Sequence, residues 1–394
     1  MNTPVDMQLL AKVLVSLAAA LVMSFAATPV VKVFAQKVGA MDVPKDGRRM
    51  HDHPIPRLGG LAMFLGFLLS TLLFGHIDVQ VRGMLLGCVV IVTTGVIDDI
   101  MPLKWWVKLL LQLAAAAVAV LHNIRIEVFT NPIVFAESEW LVLNGLSVPI
   151  TIVWIVLVTN SVNLIDGLDG LAVGVTAIGA MSMLVIALLV SEGNVAIILA
   201  ALAGACIGFM PYNMNPAKIF AGDTGALLLG YVMSTMSVIG LFKTYAIISF
   251  ILPFLILALP LFDTSFAIIR RLLRGQSPMH ADRGHVHHRL IDMGFSQKQA
   301  VAILYCVSSV FGISAVVLAT SGEMKALLLV LAFAATALIA GFVFSSSHKH
   351  HQAAQAAAKA REASAGEGTD ADAAPAPNKE NPGAPQPPGE QERP

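Results

Sequence analysis

Four carboxylate clusters break up an otherwise apolar chain. Asp98-Asp99 closes one apolar run, and Asn163-Leu164-Ile165-Asp166-Gly167-Leu168-Asp169-Gly170 separates two more. Gly222-Asp223 precedes another, and Asp263 lies inside a further one. An ionisable group at membrane depth costs several kcal/mol unless it lines a wet cavity or holds a cation. The adjacent carboxylates of Asp98 and Asp99 repel each other, and a divalent cation or a basic group such as Lys104 or Lys108 would relieve this. Asp166 and Asp169 share a face if their segment is helical. Gly167 and Gly170 instead favour a tight turn that bares backbone groups to a ligand, and capping of the next span is a third role open to the two aspartates. Gly222-Asp223-Thr224-Gly225 allows close approach of backbone to phosphate or metal, and equally makes an ordinary helix start. Against these stands a basic stretch that includes Arg270, Arg271, Arg274, Arg283, His285, His287, His288 and Arg289. Its histidines lack the His-Glu-x-x-His zinc spacing and have no cysteine partner. The expected chemistry is an Arg/His clamp for an anionic substrate opposite a Mg²⁺ site, with anchoring on anionic lipid headgroups as the competing role.

The elements that must position these groups follow from composition. Of 394 residues, 56% are hydrophobic and only 13% charged, and the mean hydropathy is +0.76. Such a chain is an all-α polytopic membrane protein, not a soluble domain. The net charge of zero gives no support for a nucleic-acid partner. About eleven spans are expected, over 9–34, 58–75, 83–97, 105–121, 148–163, 170–191, 195–213, 224–241, 245–269, 299–319 and 324–344. The first run is too long for a signal peptide and is read as a retained span. Counting from an outside N-terminus collects Arg48, Arg49, Arg57, Lys104, Lys108, Lys218 and the basic 270–298 stretch on one side. The other side keeps only Lys12, Arg82, Arg125, Lys243 and Lys325. The positive-inside rule makes the first side and the C-terminus cytoplasmic, and Asp98, Asp99, Asn163, Asp166, Asp169 and Asp223 then gather at the cytoplasmic mouth. Residues 122–147, with Asn144-Gly145 and β-branched residues, are expected to form a small extracytoplasmic hairpin or loop. Residues 1–345 form the transmembrane domain, and 346–394, rich in Ala, Pro, Gly and Glu, read as a disordered cytoplasmic tail. Cys88, Cys206 and Cys306 all fall in apolar runs and read as small core residues. A cation-coupled transporter would place carboxylates near mid-bilayer and show an inverted repeat; neither is found, although Asp263 is an exception that either reaches the site or pairs with a basic neighbour. An intramembrane aspartyl protease would need Gly-x-Gly-Asp, and position 220 is Phe.

Taken together and in order, five motifs are specific. Pro56-Arg57-Leu58-Gly59-Gly60, Gly95-Val96-Ile97-Asp98-Asp99, Asn163 to Leu171, Phe220 to Gly225 and His285-Val286-His287-His288 make the chain, over roughly 9–344, resemble the polyprenyl-phosphate N-acetylhexosamine-1-phosphate transferases, glycosyltransferase family 4. The His-x-His-His form is similar to the branch that makes polyprenyl-diphospho-N-acetylglucosamine, whereas phospho-MurNAc-pentapeptide transferases carry three consecutive histidines. The resemblance implies a bundle of ten or eleven helices, often dimeric, in a bacterial plasma membrane with its active site facing the cytoplasm. It implies transfer of a sugar 1-phosphate from a UDP-sugar to undecaprenyl phosphate, with Mg²⁺ and release of UMP. Also by resemblance, Asp223 is the leading metal ligand, Asp98 or Asp99 helps bind metal or takes the lipid phosphate proton, and Asn163 and Asp166 line the catalytic centre. Asp169 and Asn213 match positions near the nucleoside, and Phe220 matches an aromatic stacked on uracil. Arg283, His285, His287 and His288 would hold the diphosphate. The implied product is the first lipid-linked intermediate of a surface polymer, with N-acetylglucosamine as the expected sugar and another N-acetylhexosamine as the alternative.

Overall fold

The computed structural model describes residues 7–44, 53–130, 140–241, 251–276 and 284–321. Apolar runs too long for strands become helices, since only a helix satisfies every backbone group internally in hydrocarbon. They are α1 (Met7–Val38), α2 (Gly59–Phe74), α3 (Val79–Ile100), α4 (Trp105–Leu121), α5 (Ser147–Ile165), α6 (Leu171–Leu189), α7 (Gly193–Asn213), α8 (Gly222–Met236), α9 (Ile251–Ile256), α10 (Ala258–Leu273), α11 (Val286–Asp292) and α12 (Gln297–Ser321). Among the described residues, 6 helices are long and apolar enough to cross a bilayer unaided, and α2 and α4 are shorter apolar helices. The chain is a multi-pass helical membrane protein.

Helix α8 sits at the centre. Every residue from Thr224 to Met236 is buried, and α2, α3 and α5 pack around it. Helix α1 lies at the rim against α2 and α7, with Leu14, Val22 and Val30 left exposed. Exposed apolar faces are what acyl chains solvate, so these are no liability in a bilayer. Buried hydroxyls knit the helices together: Ser16 Oγ lies 2.9 Å from Ser70 Oγ and donates to Ile197 O at 3.0 Å, joining α1, α2 and α7.

Two small antiparallel pairs complete the fold. Strand β1 (Met41–Asp42) pairs with β2 (Ile55–Pro56), setting Met41 opposite Pro56. Strand β3 (Val128–Thr130) pairs with β4 (Trp140–Val142), setting Phe129 opposite Leu141. The second pair falls in the segment expected to be a hairpin. The first had no clear sequence signal, because two-residue strands carry no periodicity.

Two expectations need correction. The span expected over 245–269 is not one helix in its described part: α9 ends at Ile256 and α10 begins at Ala258. Pro260 has no N–H to give the carbonyl of Ile256, so the helical ladder breaks there. Cys88 and Cys206 are buried as expected, but Cys306 is exposed, on the outer side of α12. The span over 324–344 and the tail over 346–394 lie outside the described residues.

Candidate functional site

The start of α8 organises the site. Asp99, at the end of α3, accepts hydrogen bonds from Asp223 N at 3.0 Å, Thr224 N at 3.0 Å and Thr224 Oγ1 at 2.7 Å. A buried carboxylate thus satisfies the first-turn amides that α8 cannot bond itself. Two glycines permit this approach. A Cβ on Gly95 would lie 2.3 Å from Thr224 Cα, and one on Gly60 would lie 2.0 Å from Gly225 N. The loop before α8 is zipped to the segment before α2: Phe220 N donates to Pro56 O at 2.8 Å, Gly59 N to Phe220 O at 2.9 Å and Gly60 N to Ala221 O at 2.8 Å. The Pro56–Gly60 and Phe220–Gly225 motifs therefore form one structural unit.

Asp223 faces away from that cap. Its Oδ1 accepts from Asn163 Nδ2 at 3.2 Å and its Oδ2 from Lys108 Nζ at 2.7 Å. The same ammonium reaches Asp98 Oδ2 at 3.0 Å, and Asp98 Oδ1 accepts from Leu103 N at 2.6 Å. Lys108 thereby ties α3 and α8 to α4.

Helix α5 ends at Ile165, and Asp166 and Asp169 sit on the turn that follows, not on a shared helical face. Gly170 takes φ +80° to begin α6, a conformation that suits glycine. Asp169 Oδ2 accepts from Asn215 Nδ2 at 2.9 Å and Ala217 N at 3.0 Å. Asn213 Nδ2 donates to Ile219 O at 3.0 Å. These bonds fix the loop that carries Phe220. Asp166 has no hydrogen-bond donor among the described residues. Burial, then repulsion from Asp223, Asp99 and Asp169, pushes its carboxyl up to about 7, with Arg57 opposing.

These groups enclose a cavity of about 400 Å³ lined by Asp42, Arg57, Asn163, Asp166, Asp169, Asn213, Phe220, Asp223, His288 and Gln297, among others. Asp98, Asp99, His285 and His287 stand behind its wall. His285 Nδ1 donates to Asp263 Oδ2 at 2.8 Å, and Val286 N donates to Asp263 Oδ1 at 2.8 Å. Asp263 thus pairs α10 with the histidine motif. His287 packs against Gly167, where a Cβ would lie 2.2 Å from its Nε2. Burial, with help from neighbouring His288, holds it down to about 4, so it is neutral at physiological pH. Among the described residues of the basic stretch, His288 alone lines the cavity. Arg270, Arg274 and Arg289 line a second, larger and more apolar one beside α10 and α11. Arg283 lies outside the described residues.

Sequence reasoning counted Arg57 among the cytoplasmic basic residues and inside a recognised motif, but gave it no part in the site. Asp42 and Gln297 went unnoticed, having no motif to mark them. The weight carried by Lys108 was half visible, as a base able to relieve Asp98 but not as a link to Asp223.

Comparison with known proteins gives the family. Residues 81–241 match the model of glycosyl transferase family 4. A Bacillus subtilis (strain 168) protein named probable undecaprenyl-phosphate N-acetylglucosaminyl 1-phosphate transferase is 42% identical over 294 residues, 74% of this chain and 80% of the relative. The chain belongs to glycosyl transferase family 4. A Mycolicibacterium smegmatis decaprenyl-phosphate N-acetylglucosaminephosphotransferase is 36% identical over 74% of this chain and 78% of its own length. The Escherichia coli K12 undecaprenyl-phosphate alpha-N-acetylglucosaminyl 1-phosphate transferase is 28% identical over 68% and 74%.

The donor set suits Mg²⁺. Asp166 and Asp223 offer hard carboxylate oxygens at the cavity wall, and Mg²⁺ is commonly held by one or two carboxylates plus waters and substrate phosphates. Among the described residues no group of three His, Cys, Asp or Glu that could hold a metal ion is found.

Proposed function

We propose that this protein transfers N-acetylglucosamine 1-phosphate from UDP-N-acetylglucosamine to undecaprenyl phosphate, giving undecaprenyl-diphospho-N-acetylglucosamine and UMP. The observation that carries this is the meeting of Asp166, Asp223, Arg57 and His288 around one cavity, in a family whose relatives are named for this chemistry. Each of those names specifies N-acetylglucosamine, which favours it over another N-acetylhexosamine. The cavity faces the cytoplasm of a bacterial plasma membrane, with the N-terminus outside.

In the reaction an oxygen of the lipid phosphate attacks the β-phosphorus of the donor. One P–O bond forms, the P–O bond to UMP breaks, and UMP leaves with the bonding pair. The acceptor phosphate has a second pKa near 6, so at neutral pH it is largely a dianion and needs no strong general base. Crowding these anions together is the main barrier, and positive charge must offset it. Mg²⁺, held by Asp223 and Asp166, would supply that charge as a Lewis acid. Asn163 orients Asp223 through the bond at 3.2 Å. Asp98 holds Lys108, which lies beside Asp223. Asp99 fixes the start of α8. Asp169 and Asn213 shape the loop that presents Phe220 to the uracil, and Asp263 orients the turn bearing His288.

The test is UMP release by purified protein supplied with undecaprenyl phosphate, Mg²⁺ and a panel of UDP-N-acetylhexosamines. UMP from UDP-N-acetylglucosamine alone supports the reading, and no UMP from any donor discards it.

A further inference from the structure

We infer that Arg57 binds a substrate phosphate through the outer edge of a guanidinium that Asp99 holds in place, an assignment that rests on the transferase reading. The backbone here is pinned on two sides. Arg57 N donates to Ala40 O at 3.1 Å, and the flanking Pro56 O and Gly59 N are bonded to Phe220. The side chain is then aimed by one bond, Arg57 Nε to Asp99 Oδ1 at 3.2 Å. Asp99 does not depend on Arg57 for its own orientation, since the amides and hydroxyl at the start of α8 already hold both of its oxygens. Among the described residues Asp42 Oδ1 makes a looser ion pair with Nη1 at 3.8 Å, beyond hydrogen-bond distance.

What remains is a guanidinium edge at the wall of the cavity that also holds Asp166 and Asp223. The side chain keeps 27% of its surface exposed, while that of Asp99 keeps 0%. Among the described residues the lining is acidic: it holds Asp42, Asp166, Asp169 and Asp223, with Arg57 and His288 as its basic side chains. A cavity that must admit a diphosphate and a phosphate needs cationic side chains at its wall, and Arg57 is one. A planar fork matched to phosphate oxygens, hydrogen-bonded at Nε and with no hydrogen bond at Nη among the described residues, is the geometry for this task. The competing role is purely structural, with Arg57 doing no more than neutralise Asp99.

The experiment uses full-length protein in detergent, with Arg57→Gln and Arg57→Lys. KM is measured separately for UDP-N-acetylglucosamine and for undecaprenyl phosphate, and equilibrium binding of UDP and unfolding midpoints are recorded alongside. Arg57→Gln is expected to raise KM for one of the two substrates by roughly 10- to 100-fold, the scale of a charge-assisted hydrogen bond, with kcat less affected and the unfolding midpoint close to wild type. Arg57→Lys, which keeps the charge but loses the fork, should fall between. A rise confined to the donor, with weaker UDP binding, assigns the donor diphosphate; one confined to the acceptor assigns the lipid phosphate. A lowered midpoint in Arg57→Gln, with wild-type KM for both substrates in Arg57→Lys and unaltered UDP binding, overturns the inference in favour of the structural role. Absence of UMP release by wild-type protein would fail the transferase reading instead, and weaker UDP binding by Arg57→Gln would still assign Arg57 to a diphosphate.

Discussion

Lys108 on α4 donates to Asp223 on α8 at 2.7 Å, across 115 positions of sequence. The same ammonium serves Asp98, so one cation compensates two carboxylates from different helices. Breaking a buried pair by removing one partner costs more than the pair contributes, because the remaining charge stays buried without compensation. Lys108→Met is therefore expected to destabilise the protein by on the order of 2 kcal/mol or more without added metal. Added Mg²⁺ should raise its unfolding midpoint further than it raises that of wild type. Equal Mg²⁺ shifts in the two proteins would show that Lys108 and the metal do not share these carboxylates.

Asp263 places the histidine turn from inside α10, accepting from both His285 and Val286. Asp263→Ala leaves a buried ring N–H and a backbone N–H without acceptors, at a cost of about 1–3 kcal/mol. UMP release should fall at least ~10-fold as His288 loses its support. Asp263→Asn keeps an acceptor for Val286 N and should recover part of both losses. Thermal unfolding and steady-state kinetics on the two variants check this.

Asp166 gives a pH signature. Its carboxyl is raised to about 7 in the folded protein from an ordinary 3.8. Between those values the unfolded chain has released the proton and the folded one retains it, so this group lowers stability as pH rises through that window. Asp166→Asn removes the effect. Its stability gain over wild type, measured without Mg²⁺, should grow from about pH 4 to about pH 7 and then level off. His287 titrates in an overlapping range with the opposite sign but is common to both proteins, so the difference isolates Asp166. A gain independent of pH would contradict the assignment.

Gly60 tests the joint between the two glycine-containing motifs. A methyl group there meets the backbone of Gly225 at 2.0 Å, and backbone cannot rotate aside as a side chain can. Gly60→Ala should cost about 1–3 kcal/mol or more, by the measure of overpacked cores, and should impair turnover through the displaced start of α8. An unfolding midpoint equal to wild type would mean that α2 and α8 are not held together as described.

Much of the fold was legible because a membrane helix announces itself locally. The expected spans 58–75, 105–121 and 195–213 correspond to α2 at Gly59–Phe74, α4 at Trp105–Leu121 and α7 at Gly193–Asn213. The site was legible as a set of residue types, since carboxylates at helix ends need a reason to be there. Their division of labour was not. Asp98 and Asp99 are neighbours in sequence, yet one holds Lys108 and the other caps α8. Those partners lie 10 and 125 residues away, and no local pattern encodes which carboxylate turns which way. The arginines of the 270–298 stretch looked like a clamp for the aspartates, but Arg270 near the end of α10 and Arg274 just after it line a different cavity, because charge in a sequence has no direction until its helix is placed.

The most direct test of the proposed reaction follows the phosphorus. With UDP-N-acetylglucosamine labelled at the β-phosphate, sugar 1-phosphate transfer predicts that the label enters the lipid fraction and that UMP appears unlabelled in equal amount. Label retained in UDP while the sugar moves, or no transfer to undecaprenyl phosphate in the presence of Mg²⁺, would contradict it.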